Sequence, residues 1–128
     1  MATEIVNEYA DEAAERWPDK YAESNRNLAS MSDTEKRDLF ALGQEVTSEL
    51  AALFTAGEPA DSKQTQLQVA RHYGWLSTFW KPNREAYSAM GQMYVADPRF
   101  TAYYDKFAVG LAPYMCAAML VNAEANLE

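Results

Sequence analysis

The side chains that most often carry chemistry are scarce in this sequence. One histidine, His72, and one cysteine, Cys116, stand 44 positions apart, so a nucleophilic Cys/His pair would depend wholly on tertiary folding. Cys116 lies in the apolar run YMCAAML, the setting of a small buried hydrophobe rather than a reactive thiol. The spacings HExxH, CxxC, GxGxxG and GxxxxGK[ST] do not occur. Carboxylate pairs such as Glu12 with Glu15, or Glu45 with Glu49, fall on helix faces that read as solvated. A hydrolytic dyad needs burial to drive its two pKa values apart. The pattern argues against an enzyme. His72 alone could ligate haem or a metal, but no second ligand is signalled. A histidine packed among rings and bonded to a carbonyl or a ligand accounts for it better.

What the sequence does concentrate is aromatic rings. Residues 72–104 hold nine of the 16, where an even spread would place about four, and only five charges, Lys81, Arg84, Glu85, Asp97 and Arg99. Buried Trp and Tyr need polar partners, and rings of this density line either a core or a ligand cleft. Met90 and Met93 add adaptable, polarizable surface beside them. The residues alone leave core and cleft both open.

The elements that must position these rings read as helices throughout. Ile5, Tyr9, Ala13 and Trp17 are spaced by four and predict an amphipathic helix over 3–17, ended or kinked at Trp17-Pro18. The polar stretch 19–30 has only Tyr21 and Leu28 to bury, enough for a short helix at most, which makes the first thirty residues the least anchored. Ser32-Asp33-Thr34-Glu35 is a capping box, followed by the stripe Leu39, Leu42, Val46, Leu50 and Leu53, with Gly57 and Pro59 as the stop. Asp61 or Ser62 caps a third helix expected to run to about Trp80. Val69, Tyr73, Leu76 and Trp80 share one face of it and His72, Trp75 and Phe79 another. Asn83 caps a fourth through Tyr94, and Asp97-Pro98 opens a short fifth. Beyond Gly110 a last helix tolerates Pro113 in its first turn. No stretch alternates with period two. The expected architecture is all-α, one domain of five to six helices over 1–128.

Bulk properties narrow the partners. No run approaches the roughly 18 apolar residues of a membrane span, so no membrane contact is expected. Net charge is −8, and residues 1–38 alone carry ten acidic and five basic side chains. Such a surface repels phosphate, so no direct nucleic-acid contact is expected of this chain. A lone cysteine and no secretory pattern suit a cytoplasmic setting.

The ordered motifs resemble the TipAS-type antibiotic-recognition domain, the effector-binding module of some MerR-family transcriptional regulators. The similarity runs from Glu8, Tyr9, Glu12, Arg16, Trp17 and Pro18, with Tyr21 and Ser24, through Gly57-Glu58-Pro59-Ala60-Asp61-Ser62 and the helix bearing His72. It is most specific at Gly91-Gln92-Met93-Tyr94 leading into Asp97-Pro98-Arg99-Phe100, then Asp105, Gly110-Leu111-Ala112 and Tyr114-Met115. The resemblance implies a globin-like helical arrangement with no haem and no cofactor. It also implies non-catalytic capture of a bulky apolar or macrocyclic small-molecule or peptide antibiotic, thiopeptides being the best-known class. Its N-terminal helices, here within 1–30, would close over the ligand as a labile lid. Thiopeptide-capturing relatives carry a cysteine near the turn before the Gly-x-Met-Tyr motif, whereas this chain has Lys81-Pro82-Asn83 there and Ala89 further on. Covalent capture is therefore not implied.

With the resemblance in place, Trp75, Phe79, Tyr87, Met90, Tyr94 and Tyr103 are expected on the floor or walls of a cleft. Trp17 and Tyr21 are expected on the lid, and His72 and Arg99 as polar contacts, with no metal. A haem or metal protein of globin-like form, or a helical interaction or dimerisation module, are the alternatives. The oligomeric state is left open.

Overall fold

The computed structural model describes residues 17–128, and among them the chain forms six helices and no strand. They are α1 (Pro18–Ala29), α2 (Asp33–Thr55), α3 (Lys63–Ser77), α4 (Arg84–Ala96), α5 (Pro98–Asp105) and α6 (Leu111–Asn126). The helix expected over 3–17, and most of the expected lid, fall on residues outside the described ones. The all-α expectation holds.

The helix starts follow their capping chemistry. Ser32 accepts from the Glu35 amide at 3.1 Å while Glu35 accepts from the Ser32 amide at 3.0 Å, so two orphan donors are satisfied reciprocally. At α3 the cap is Ser62, which accepts from the Thr65 amide, and not Asp61. Asn83 caps α4 through the Ala86 amide, and Asp97 caps α5 with Pro98 in its first turn. Gly110, the N-cap of α6, sits at φ +90, and a Cβ there would lie 3.2 Å from the Phe54 ring. Backbone and space both require glycine at that position.

The polar stretch after Trp17, where a short helix was possible, is a helix of 12 residues that opens on Pro18. One boundary differs from expectation. The third helix closes at Ser77, three residues short of Trp80, as Phe79 and Trp80 both bond back to the Leu76 carbonyl in a tightened turn. The following Pro82 holds its neighbour extended, so the helix could not run on far.

The core is built on α4 and α6. Leu111, Ala112, Met115, Ala118, Met119 and Ala123 of α6 are all buried to 1% exposure or less. They pack with Tyr87 and Tyr94 of α4, Val46 and Leu50 of α2, and Val69 and Leu76 of α3. Each fully buried large side chain removes enough apolar surface to contribute about 1.5–3 kcal/mol before entropy is charged. Leu42, expected in the α2 stripe, is instead exposed, because the buried line of that helix runs through Leu39, Val46 and Leu50. By contrast α1 buries no residue at all.

Candidate functional site

One cavity lies where four helices meet over the aromatic cluster. It has a volume of about 110 Å³. From α2 it takes Phe40, Gly43, Gln44 and Thr47; from α3, His72 and Trp75; from α4, Tyr94; and from α5, Phe100, Tyr103 and Tyr104. No Asp, Glu, Lys or Arg lines it.

Local structure explains how the walls stand. Trp75 lies flat against α2: its indole Nε1 donates to the Leu39 carbonyl at 2.9 Å. A Cβ at position 43 would approach the indole to 2.8 Å, so only glycine admits the ring there. Thr47, one turn on, satisfies its hydroxyl on the Gly43 carbonyl and turns no unpaired donor into the space. On the far wall Tyr94 packs on Tyr104 and Phe100 at centroid distances of 4.9 and 5.3 Å, and Tyr103 meets Tyr104 edge-on at 5.1 Å. Burial pushes the Tyr94 phenol up to about 12 and raises those of Tyr103 and Tyr104, so all three stay neutral hydroxyls near neutral pH.

His72 is the polar centre. It is 3% exposed, and its Nδ1 lies 2.7 Å from the Tyr87 hydroxyl on the core side. Its other nitrogen, Nε2, is buried with no hydrogen-bond partner. Desolvation lowers the pKa from the ordinary 6.5 to about 4, which keeps the ring neutral. A buried polar atom left unpaired costs free energy that a ligand or a water can recover.

The expected site residues divide clearly. His72, Trp75, Tyr94 and Tyr103 come together around the cavity. Tyr87 stands one layer back, fully buried, holding His72. Phe79 packs edge-on against Trp75 at 5.3 Å but lies outside the lining, and Met90 packs against the core. Arg99 is at the surface, bonded to Asp97 at 3.0 Å across the start of α5. Trp17 and Tyr21, just before and within α1, are half-buried and outside the cavity lining. That helix docks through Asn27, whose Nδ2 donates to the Phe79 carbonyl at 2.6 Å, and through Lys20 above the Trp80 ring at 4.6 Å. Cys116, in α6, is also outside the lining, and burial raises its thiol pKa. Among the described residues no three His, Cys, Asp or Glu side chains are grouped to hold a metal, and no helix is long and apolar enough to cross a membrane.

Sequence reasoning missed the α2 wall. Phe40, Gly43, Gln44 and Thr47 recur at i, i+3, i+4 and i+7, the spacing of one helix face. Three of the four are small or polar, so the periodicity was present without the hydrophobicity that draws notice. Phe100 and Tyr104 were missed for another reason: spacing groups residues on a face but does not say which face meets the cavity.

Known proteins share this sequence pattern and this fold. The family model described as the TipAS antibiotic-recognition domain matches residues 9–122. The HTH-type transcriptional activator TipA of Streptomyces coelicolor is 35% identical over 120 residues, 91% of this chain and 47% of that protein. The HTH-type transcriptional regulator SkgA of Caulobacter vibrioides is 32% identical over 120 residues, 90% of this chain and 44% of that protein. This chain thus spans about half the length of these relatives. A solved structure of TipAS from Streptomyces lividans, in complex with nosiheptide and described as part of a thiopeptide antibiotic multidrug resistance system, superimposes with a TM-score of 0.81. It has 34% identity and covers 93% of this chain and 85% of that one. On the family match and these identities, the chain belongs to the TipAS antibiotic-recognition domain family.

Proposed function

We propose that this chain binds bulky, neutral, aromatic or macrocyclic antibiotics in the cleft between α2, α3, α4 and α5, as a sensor or sequestering domain and without catalysis. The observation that carries this is the aromatic cavity with no charged lining and one unpartnered buried nitrogen on His72 of its wall. Nothing in that lining offers a nucleophile beside a base, and the thiol lies elsewhere. The family match and the nosiheptide complex of a 34% identical relative support the ligand class.

At about 110 Å³ the cavity is smaller than the roughly 300–1,000 Å³ of a drug-sized site. A bulky ligand therefore has to open it, and the walls that open are those with least packing behind them. In this reading α1, which buries nothing, moves as a lid, and Trp17 and Tyr21 supply its apolar contacts. Phe79, Met90 and Arg99 would meet a large ligand only at the rim. In a longer chain bearing a DNA-binding region, ordering of that lid is the change the domain would pass on, in a cytoplasmic setting.

The test is an amide-NMR and calorimetric titration with nosiheptide and with antibiotics of unrelated skeleton. The reading expects saturable shifts at Gly43, Thr47, His72 and Tyr103, together with new protection in α1. Titrations that leave the α2–α5 cleft unperturbed would sink it.

A further inference from the structure

Tyr87 is the key to what the cavity can recognise. Its hydroxyl lies in the core, the residue is fully buried, and its hydrogen-bond partner is His72 Nδ1 at 2.7 Å. Burial raises its phenol pKa, so the hydroxyl carries a proton that needs an acceptor. Two arrangements of the pair are possible. If Nδ1–H donated to the tyrosine oxygen, the phenolic proton would have no acceptor in the core, and His72 Nε2 would be an unpaired acceptor as well. If the phenol donates to a bare Nδ1, the tyrosine is satisfied and the imidazole proton resides on Nε2. The first arrangement strands two groups and the second strands one. Each stranded buried group costs about 1–3 kcal/mol, so the second prevails.

We infer that Tyr87 fixes His72 as the Nε2–H tautomer, which gives the cavity lining a buried, unpaired hydrogen-bond donor and selects ligands carrying a neutral acceptor, a carbonyl oxygen or a ring nitrogen, on an aromatic frame. Neutrality follows from the lining. Phe40, Trp75, Tyr94, Phe100 and Tyr103 line the same cavity with no cation among them, so a carboxylate or phosphate there would lose its hydration uncompensated. At the donor itself a ligand cation is repelled, whatever the ring faces offer elsewhere in the cavity. This inference rests on the cleft being the binding site, and it adds the polarity of the group that enters it.

Because His72 is the one histidine in the chain, its ring nitrogens can be read without ambiguity. Long-range proton–nitrogen correlation on the ligand-free protein should show Nε2 protonated and Nδ1 bare and hydrogen-bonded. A protonated Nδ1 would overturn the proposal before any ligand is added. The second arm uses pyridine and benzene, rings of one size that differ by a single acceptor, at a pH where pyridine is neutral. Pyridine should shift the Nε2 resonance saturably. The pyridine-to-benzene preference of the wild type should drop about fivefold in His72→Leu, the worth of one net hydrogen bond. An unchanged preference, or no Nε2 response to pyridine, removes the proposal. Nosiheptide is titrated in parallel: shifts across the cleft with no pyridine preference leave the binding site standing and dispose only of its polarity.

Discussion

Helices α1 and α6 are of similar length and could hardly be held more differently. Seven residues of α6 are buried along one broad face of the helix, and that face packs into the core with Tyr87 and Tyr94 of α4. The first helix, Pro18–Ala29, buries none, and among the described residues it is tied down by an amide–carbonyl bond from Asn27 and by the Lys20 ammonium over the Trp80 indole. The contrast separates two tasks. Stability is invested in the α4–α6 layer, which forms the back of the site. On the lid reading proposed above, freedom to rearrange is left in α1.

The largest effect should come from the stable side. Leu111 is wholly buried at the start of α6, and Leu111→Ala leaves a cavity under Phe54 and the Gly110 turn. Urea denaturation should show a loss of about 2–5 kcal/mol with unchanged slope. The matched substitution in α1, Leu28→Ala, should cost under about 1 kcal/mol because that side chain is only half-buried. Equal losses at the two sites would erase the distinction between the layers.

Next comes a pH effect located at the junction of core and cavity. Folding lowers the His72 pKa from 6.5 to about 4 through desolvation. Below pH 6.5 the unfolded chain takes up a proton that the folded ring refuses, so stability falls as the pH drops from about 6.5 toward 4. At 1.36 kcal/mol per pKa unit the loss should reach about 2 kcal/mol at pH 5. Glu35 and Asp97 are held below the ordinary carboxylate range, by the Ser32 cap and by Arg99 respectively. They lose their contribution only at more acidic pH. Denaturation midpoints at pH 7 and pH 5 separate the two windows, and His72→Gln should flatten the upper one. A wild type indifferent to pH between 5 and 7 would mean that His72 is not sealed from water.

How much of this could be read in the sequence depends on the range of the forces involved. The Ser32–Glu35 box, the Asn83 cap, Asp97-Pro98 and the Gly110 break act within four residues, and each lies where its chemistry placed it. The facing of the aromatic rings is decided by elements distant in the chain. Tyr87 and Tyr94 fall two turns apart on α4, yet one backs His72 from the core and the other lines the cavity. Which way each points depends on where α3 crosses, and no spacing within α4 contains that. The α2 wall was hidden in another way. Gly43 matters for the side chain it lacks, and its meaning appears only when Trp75 is laid against it.

That contact yields a smaller effect. Gly43→Ala would press a methyl carbon to within 2.9 Å of three indole atoms of Trp75. The ring cannot slide along α2 without giving up its bond to the Leu39 carbonyl, so it should swing into the cavity. Overpacking of this kind costs about 1–3 kcal/mol. Titration calorimetry with nosiheptide should show affinity reduced about tenfold or more, out of proportion to the stability loss. Unaltered affinity would show that the indole wall gives way on binding and that Trp75 is not a fixed boundary.

The smallest change in global stability should be the most informative about α1. Asn27→Ala removes the 2.6 Å bond to the Phe79 carbonyl, at the turn that joins α3 to α4. One such part-buried bond is worth about 1 kcal/mol, and the freed carbonyl can turn to water. If α1 opens independently of the core, the whole loss falls on its own equilibrium. Amide exchange in α1 would then quicken about fivefold, while Met115 and Met119 exchange as before and the urea midpoint hardly moves. If instead all amides accelerate together, α1 is part of the same cooperative unit as α6. That outcome would rule out α1 as a lid that ligand binding orders.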